Sequence, residues 1–201
     1  MGAGAPRPDE MEKHREYYAV TDESRVEDIK AFAHIHVAKI GEGYRIYFDE
    51  AGMRADPKKY GSKSWPLSRT RSISSKDGLV WQLDPGARID IGQPPLNEVQ
   101  RISNPSVLKL GDDYHMFFFA GFSPWEDLTP WKRLVWSGTY EAISKNGLDF
   151  EINAFPSFPG NDAAVIRFGD KLLAYPGRAQ KERKECSDVV MFEKKLTKNE
   201  L

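Results

Sequence analysis

The stretch HIHVAKIGEGYRIYF (34–48) decides how this chain folds, because it returns as NPSVLKLGDDYHMFF (104–118) and again as DAAVIRFGDKLLAYP (162–176). In that alignment Gly41, Gly111 and Gly169 coincide, and so do Val37, Val107 and Val165. Each copy is a pair of short apolar runs on either side of a glycine with polar neighbours, the chemistry of an antiparallel hairpin. A second motif lies between the copies: SSKDGLVW (74–81) aligns with ISKNGLDF (143–150). Gly41 and Gly111 are 70 residues apart, and Gly78 and Gly147 are 69 apart. Two motifs recurring in one order at one spacing define a structural repeat. A β-sandwich has no reason to repeat both in phase.

Working outward, each unit reads as four strands. In the first they are Ile35–Ile40, Tyr44–Phe48, about Thr70–Ser74 and Val80–Leu83, with turns at Gly41-Glu42-Gly43 and Asp77-Gly78. The second unit repeats this with turns at Gly111-Asp112-Asp113 and Asn146-Gly147. The third supplies Val165–Phe168, Leu172–Tyr175 and one more strand near Val189–Phe192. Four-stranded antiparallel units in series are the blades of a β-propeller. The expected fold is all-β, a partial propeller of two to three blades, at about 34–92, 102–158 and 162–195 of a 34–201 domain. Residues 1–33 read as a leader: prolines and small residues expected to be disordered, then two helices at Asp9–Tyr18 and Glu23–Phe32. After that leader the chain holds about two and a half units, so the propeller is open and has raw edges.

Composition narrows the class. Lys plus Arg number 29 against 30 Asp plus Glu, a formal charge of −1, so no basic field exists to hold a nucleic acid. No uncharged stretch approaches the roughly 18 residues of a membrane helix. The opening MGAGAPRPDE lacks the apolar run of a secretory peptide. A single cysteine, Cys186, forms no internal disulfide and no multi-cysteine zinc site. These features together place the chain in the cytoplasm. No phosphate-binding glycine loop, HExxH or EF-hand pattern is present, so no cofactor and no metal are expected.

The NPSVLKLGDDYHMFF strand pair, followed by hairpins such as ISSKDGLVWQLDPGARIDIG, resembles the five-bladed propeller glycosidases: the arabinanase, levansucrase and invertase-like glycoside hydrolases and their uncharacterised relatives. The resemblance covers about Ala33 to Phe192 and rests on turn and core residues, which specify a fold more closely than an activity. It implies sugar hydrolysis at the mouth of the central channel. The implied machinery is an Asp at the start of an innermost strand, a second Asp that tunes the site and a Glu from a further blade. Carried over by position, Asn104 stands where an active member has the Asp of Asp-Pro, His34 holds that place in unit one, and Asp162 alone is a carboxylate.

Strand geometry says which end of the blades carries a site. The turns within the hairpins are short, whereas the loops at about Ala51–Arg69, Ala120–Arg133 and Pro85–Ser103 are long and gather on the opposite end. Long loops on a rigid scaffold are where function concentrates. That end holds His34, Asn104 and Asp162 at its centre. His34 and His36, two apart on a strand, point the same way, and with Arg101, Asn104 and Arg178 they are the polar candidates for binding a saccharide or small molecule. Trp125 and Trp131, with Trp65 in the equivalent loop, offer indole faces to sugar rings or pin the loops. Asp162 and Asp49 are the catalytic candidates. A glycosidase needs two carboxyls roughly 5–5.5 Å or roughly 6.5–9.5 Å apart, and this is the one pair the sequence nominates. His115, alternating with core residues, reads as structural.

Three functions follow. The first is a glycoside hydrolase-like protein acting on a saccharide at the channel mouth. The second is a non-catalytic saccharide or small-molecule binding module that kept the channel and lost carboxylates. The third is an assembly protein, with a homodimer formed through exposed blade edges.

Overall fold

The computed structural model describes residues 32–53, 67–96, 99, 101–121, 138–177 and 191–201. Both leader helices except Phe32, together with Trp65, Trp125, Trp131, Arg178 and Cys186, lie outside the described residues. Among the described residues the chain is all-β, with three antiparallel sheets. The first runs β1 (Phe32–Ile40), β2 (Gly43–Met53), β3 (Leu67–Ser75) and β4 (Gln82–Leu83), in that order. The second repeats it as β5 (Arg101–Leu110), β6 (Asp113–Gly121), β7 (Gly138–Ser144) and β8 (Glu151–Ile152). The third is β9 (Asn161–Phe168), β10 (Lys171–Gly177) and β11 (Phe192–Lys195). Phe32 begins β1 rather than ending a helix. No helix among the described residues is long and apolar enough to cross a membrane.

The repeat read from sequence is a repeat of backbone geometry. Gly41, Gly111 and Gly169 open the three hairpin turns with φ of 58°, 58° and 61°, a left-handed conformation that costs glycine nothing. In the first sheet the register slips between Ala33 and His36, and in the second between Ser103 and Ser106. Thr70 bridges Ile89 and Thr139 bridges Phe158 at matching places in the two units. The second hairpin of each unit departs from the expected two-residue turn. Asp77 Oδ1 accepts the N–H groups of Leu79 and Val80, and Asn146 Oδ1 those of Leu148 and Asp149. These side chains hold the backbone in a longer turn, so the fourth strand begins at Gln82, two residues later than Val80.

Apolar cores lie between the sheets. Tyr47 of the first sheet is buried with Val107, Tyr114, Met116, Phe118 and Tyr140 of the second. Leu110 and Phe117 of the second are buried with Val165, Leu172 and Ala174 of the third. Burial is therefore directional along the repeat. Val37 is exposed where its counterparts Val107 and Val165 are buried, and Phe168 is exposed where its counterpart Leu110 is buried.

Polar bonds fasten the first interface at the short-turn end. Arg45 Nη1 donates to Asn146 O (3.1 Å), Tyr47 Oη to Gly147 O (2.8 Å) and Arg88 Nη1 to Leu148 O (2.9 Å). Gly147 has φ of 69°, and a Cβ there would lie 2.8 Å from Tyr47 Oη and 3.0 Å from Arg45 Nη1. Gly147→Ala is therefore expected to destabilise the fold by about 1–3 kcal/mol through backbone strain and lost bonds. Thermal melting against Gly169→Ala, where a Cβ meets nothing within 4 Å, separates the interface effect from the φ effect.

Candidate functional site

The long-loop end of the first two sheets is built around one carboxyl. β2 brings Asp49 opposite Ala33 of β1 and Thr70 of β3. At this level β1 carries a bulge, with His34 and Ile35 together opposing Phe48, and His34 takes a φ of 50°. The second sheet repeats the device with Asn104 and Pro105 against Phe118, and Asn104 takes a φ of 56°. Left-handed backbone at non-glycine residues is uncommon, and it concentrates at functional sites. The two bulges direct two donors at one atom. His34 Nδ1 lies 2.7 Å from Asp49 Oδ2, and the backbone N–H of Asn104 donates to the same oxygen at 3.0 Å.

Asp49 is 2% exposed and its pKa is pushed up to about 6. Burial is the leading cause, opposed by the Asn104 N–H, the His34 contact and the positive charge of Arg101. Its second oxygen, Oδ1, is buried without a hydrogen-bond partner. So are Thr70 Oγ1 on the strand beside it and Ser103 Oγ and Asn104 Nδ2 on β5. Buried polar atoms are nearly always paired in folded proteins, so unpaired ones on the strands around an ionisable carboxyl set this end of the sheets apart. Among the described residues, no group of three or more His, Cys, Asp or Glu could hold a metal ion.

The sequence candidates separate in this geometry. Asp49, His34 and Asn104 come together, and exposed Arg101 contributes its charge to them. His36 does not join: its Nε2 donates to Val107 O at 2.9 Å, tying β1 to β5. The expectation that His34 and His36 act as a same-side pair assumed unbroken strand alternation. The bulge at His34 breaks it, and the two imidazoles go to separate partners. Burial lowers the His36 pKa, which suits a neutral donor. Asp162 lies at the start of β9, the strand equivalent to β1 and β5, and its side chain is outside what the structure describes. His115 pairs with Glu141 at 2.7 Å within the second sheet, a structural role.

Thr70 and Ser103 are members that sequence reading passed over. A signal for the site did exist: Asp49 aligns with Phe119 of the second unit, so a carboxylate replaces a buried ring in the repeat. A cavity of about 450 Å³ lies at the other end, lined by Tyr44, Ser75, Asp77 and Val80. Ser75 Oγ and Asp77 Oδ1 there are already committed to turn bonds, so it lacks the unpaired polar atoms that mark the Asp49 site.

No protein-family model matches this chain, and no curated protein matches it by sequence. Solved structures do match in fold. A family 117 glycoside hydrolase from the marine bacterium Zobellia galactanivorans aligns with a TM-score of 0.55 at 14% identity, over 75% of this chain and 49% of the other. The β-1,2-mannobiose phosphorylase of Listeria innocua aligns with a TM-score of 0.54 at 18% identity, over 82% and 55%. A family 32 β-fructofuranosidase of Bombyx mori aligns with a TM-score of 0.54 at 11% identity, over 82% and 34%. All three have the five-bladed propeller fold of glycoside hydrolases and their kin, and this chain is similar to that fold. It spans about half the length of the first two and a third of the last.

Proposed function

We propose that the long-loop end of the first and second sheets is a saccharide-processing site of the glycoside-hydrolase kind, centred on Asp49. On this reading the three sheets are blades of a partial propeller, two of four strands and one of three described strands. The observation that carries the proposal is a buried carboxyl with a pKa near 6 whose Oδ1 has no partner, on strands that hold three more unpaired buried polar atoms, Thr70 Oγ1, Ser103 Oγ and Asn104 Nδ2. A carboxyl tuned towards neutrality suits a site of proton transfer at ordinary pH, and solvent reaches it only through the exposed His34 beside it. The likeness in fold supports the substrate class and nothing finer.

The second reading is a binding module without turnover, and Asn104 favours it. An amide stands where the resembled enzymes carry a carboxylate, and an amide can bind a hydroxyl but cannot act as base or nucleophile. Aryl glycosides of arabinose, xylose, fructose, mannose and sialic acid separate the two. Turnover that falls at least about 100-fold in Asp49→Asn is the result expected of the enzyme. Binding without turnover, lost in Asn104→Ala, identifies the module. Neither binding nor turnover with any of these sugars and their oligomers overturns the saccharide reading.

A further inference from the structure

Asp49 cannot meet a ligand in this geometry. Its side chain is 2% exposed, and Oδ1 is buried. The group that solvent reaches is His34, whose side chain is 45% exposed directly against it. An ionised carboxylate only accepts hydrogen bonds, so the proton in the 2.7 Å contact resides on His34 Nδ1. The neutral imidazole then carries its lone pair on Nε2, on the far side of the ring, where no hydrogen bond from the described residues engages it. Asn104 completes the arrangement. Its N–H fills another acceptor position on Oδ2 and comes from a different sheet, so the carboxylate is held from two directions. The left-handed φ of 50° at His34 and 56° at Asn104 are the backbone distortions that bring both donors to that oxygen.

We propose that His34 Nε2 is the proton-accepting atom of this site and that Asp49 is a positioning residue acting through it. The site thus works as a carboxylate–imidazole pair in place of the set of carboxyls that the resemblance implies. The saccharide reading above supplies the identity of the ligand, and the pair stands on its own geometry. In a cycle, an O–H bond of a ligand hydroxyl or a water breaks as Nε2–H forms. The imidazolium charge lies against the Asp49 carboxylate while the deprotonated oxygen bonds to the sugar's anomeric carbon and the glycosidic C–O bond breaks, and the same proton passes to the oxygen that leaves. No proton is gained or lost overall.

Two measurements on the whole chain test this without a saccharide. Long-range ¹H–¹⁵N spectra at pH 8, with the His34 signals identified by their loss in His34→Gln, are expected to show the Nδ1–H tautomer. An Nε2–H tautomer overturns the proposal. Acylation by diethyl pyrocarbonate, which attacks a free imidazole nitrogen, supplies the second readout. Fragmentation of the tryptic peptide 31–39 distinguishes His34 from His36. His34 is expected to react faster than His36, and about tenfold more slowly in Asp49→Asn, because the partner that fixes the tautomer with its lone pair on Nε2 is gone. An unchanged His34 rate in a folded Asp49→Asn protein overturns the positioning role. Protection of His34 by a saccharide reports separately on the ligand, so its absence tells against the saccharide reading and leaves the pair intact.

Discussion

Asp84→Ala is expected to cost about 3–5 kcal/mol, the scale for removing one partner of a buried ion pair. Asp84 is buried and accepts three side-chain hydrogen bonds: from Arg45 Nε at 2.9 Å, Ser72 Oγ at 2.6 Å and Ser74 Oγ at 2.8 Å. Without the carboxylate, the guanidinium of Arg45 stays buried with its charge uncompensated and both hydroxyls lose their acceptor. The damage reaches the second sheet, because Arg45 also donates to Asn146 O. The pair itself need not be strongly stabilising: an Arg45→Met/Asp84→Leu double variant is expected to recover most of the loss. Urea unfolding checks both, with the midpoint shifting at constant slope. A single-variant cost below about 1 kcal/mol is incompatible with an uncompensated buried charge.

Asp49→Asn is expected to stabilise the protein at neutral pH while abolishing the function of the site. The Asp49 pKa rises from 3.8 to about 6 in the folded chain. Below about pH 4 the carboxyl is protonated both folded and unfolded and contributes no pH dependence. Between the two values the unfolded chain has released its proton and the folded chain retains it, so stability falls as pH rises. Above about pH 6 both states are ionised and the full penalty is in place. Two pKa units correspond to about 3 kcal/mol, which sets the upper size of the gain in Asp49→Asn at pH 7. The variant also loses charge-assisted bonds to His34 and Asn104, so the gain is expected at about 1–2 kcal/mol. Melting curves from pH 4 to 8 are expected to converge for wild type and variant at the acid end and to separate above pH 6, with the variant higher. A variant less stable throughout would make Asp49 a structural staple between sheets. Stability sacrificed at a residue that function requires is the usual mark of a working site.

A third network shows how far the repeat was readable. Arg45, Ser72 and Asp84 of the first unit align with His115, Glu141 and Asn153 of the second. Both sets form polar networks at the same three positions, buried in the first unit and ending on exposed Asn153 in the second, with His115 on Glu141 Oε1 and Asn153 Nδ2 on Glu141 Oε2. The acid stands just after the fourth strand in the first unit and on the third strand in the second, so residue identities do not align although the positions do. Sequence comparison sees types of residue, and a donor–acceptor network can be satisfied by several permutations of them. Val80, which the two-residue Asp77-Gly78 turn would start in a strand, instead lies in a longer turn because Asp77 captures its N–H.

What the sequence determined by itself was the repeat: the glycine-centred hairpins, their spacing, the antiparallel four-strand units and the end of the sheets opposite the short hairpin turns. These are local matters, set by residues within a few positions of one another, where strand alternation and turn chemistry are decisive. It also nominated Asp49, His34 and Asn104 separately. Only the tertiary structure decided that these three share one oxygen, that His36 belongs to the framework and that the carboxyl is hidden behind an imidazole. The physical reason is that Asp49, His34 and Asn104 come from three strands of two sheets, and two bulges aim them. A bulge changes the direction of a side chain without changing the pattern of apolar and polar residues that announces a strand.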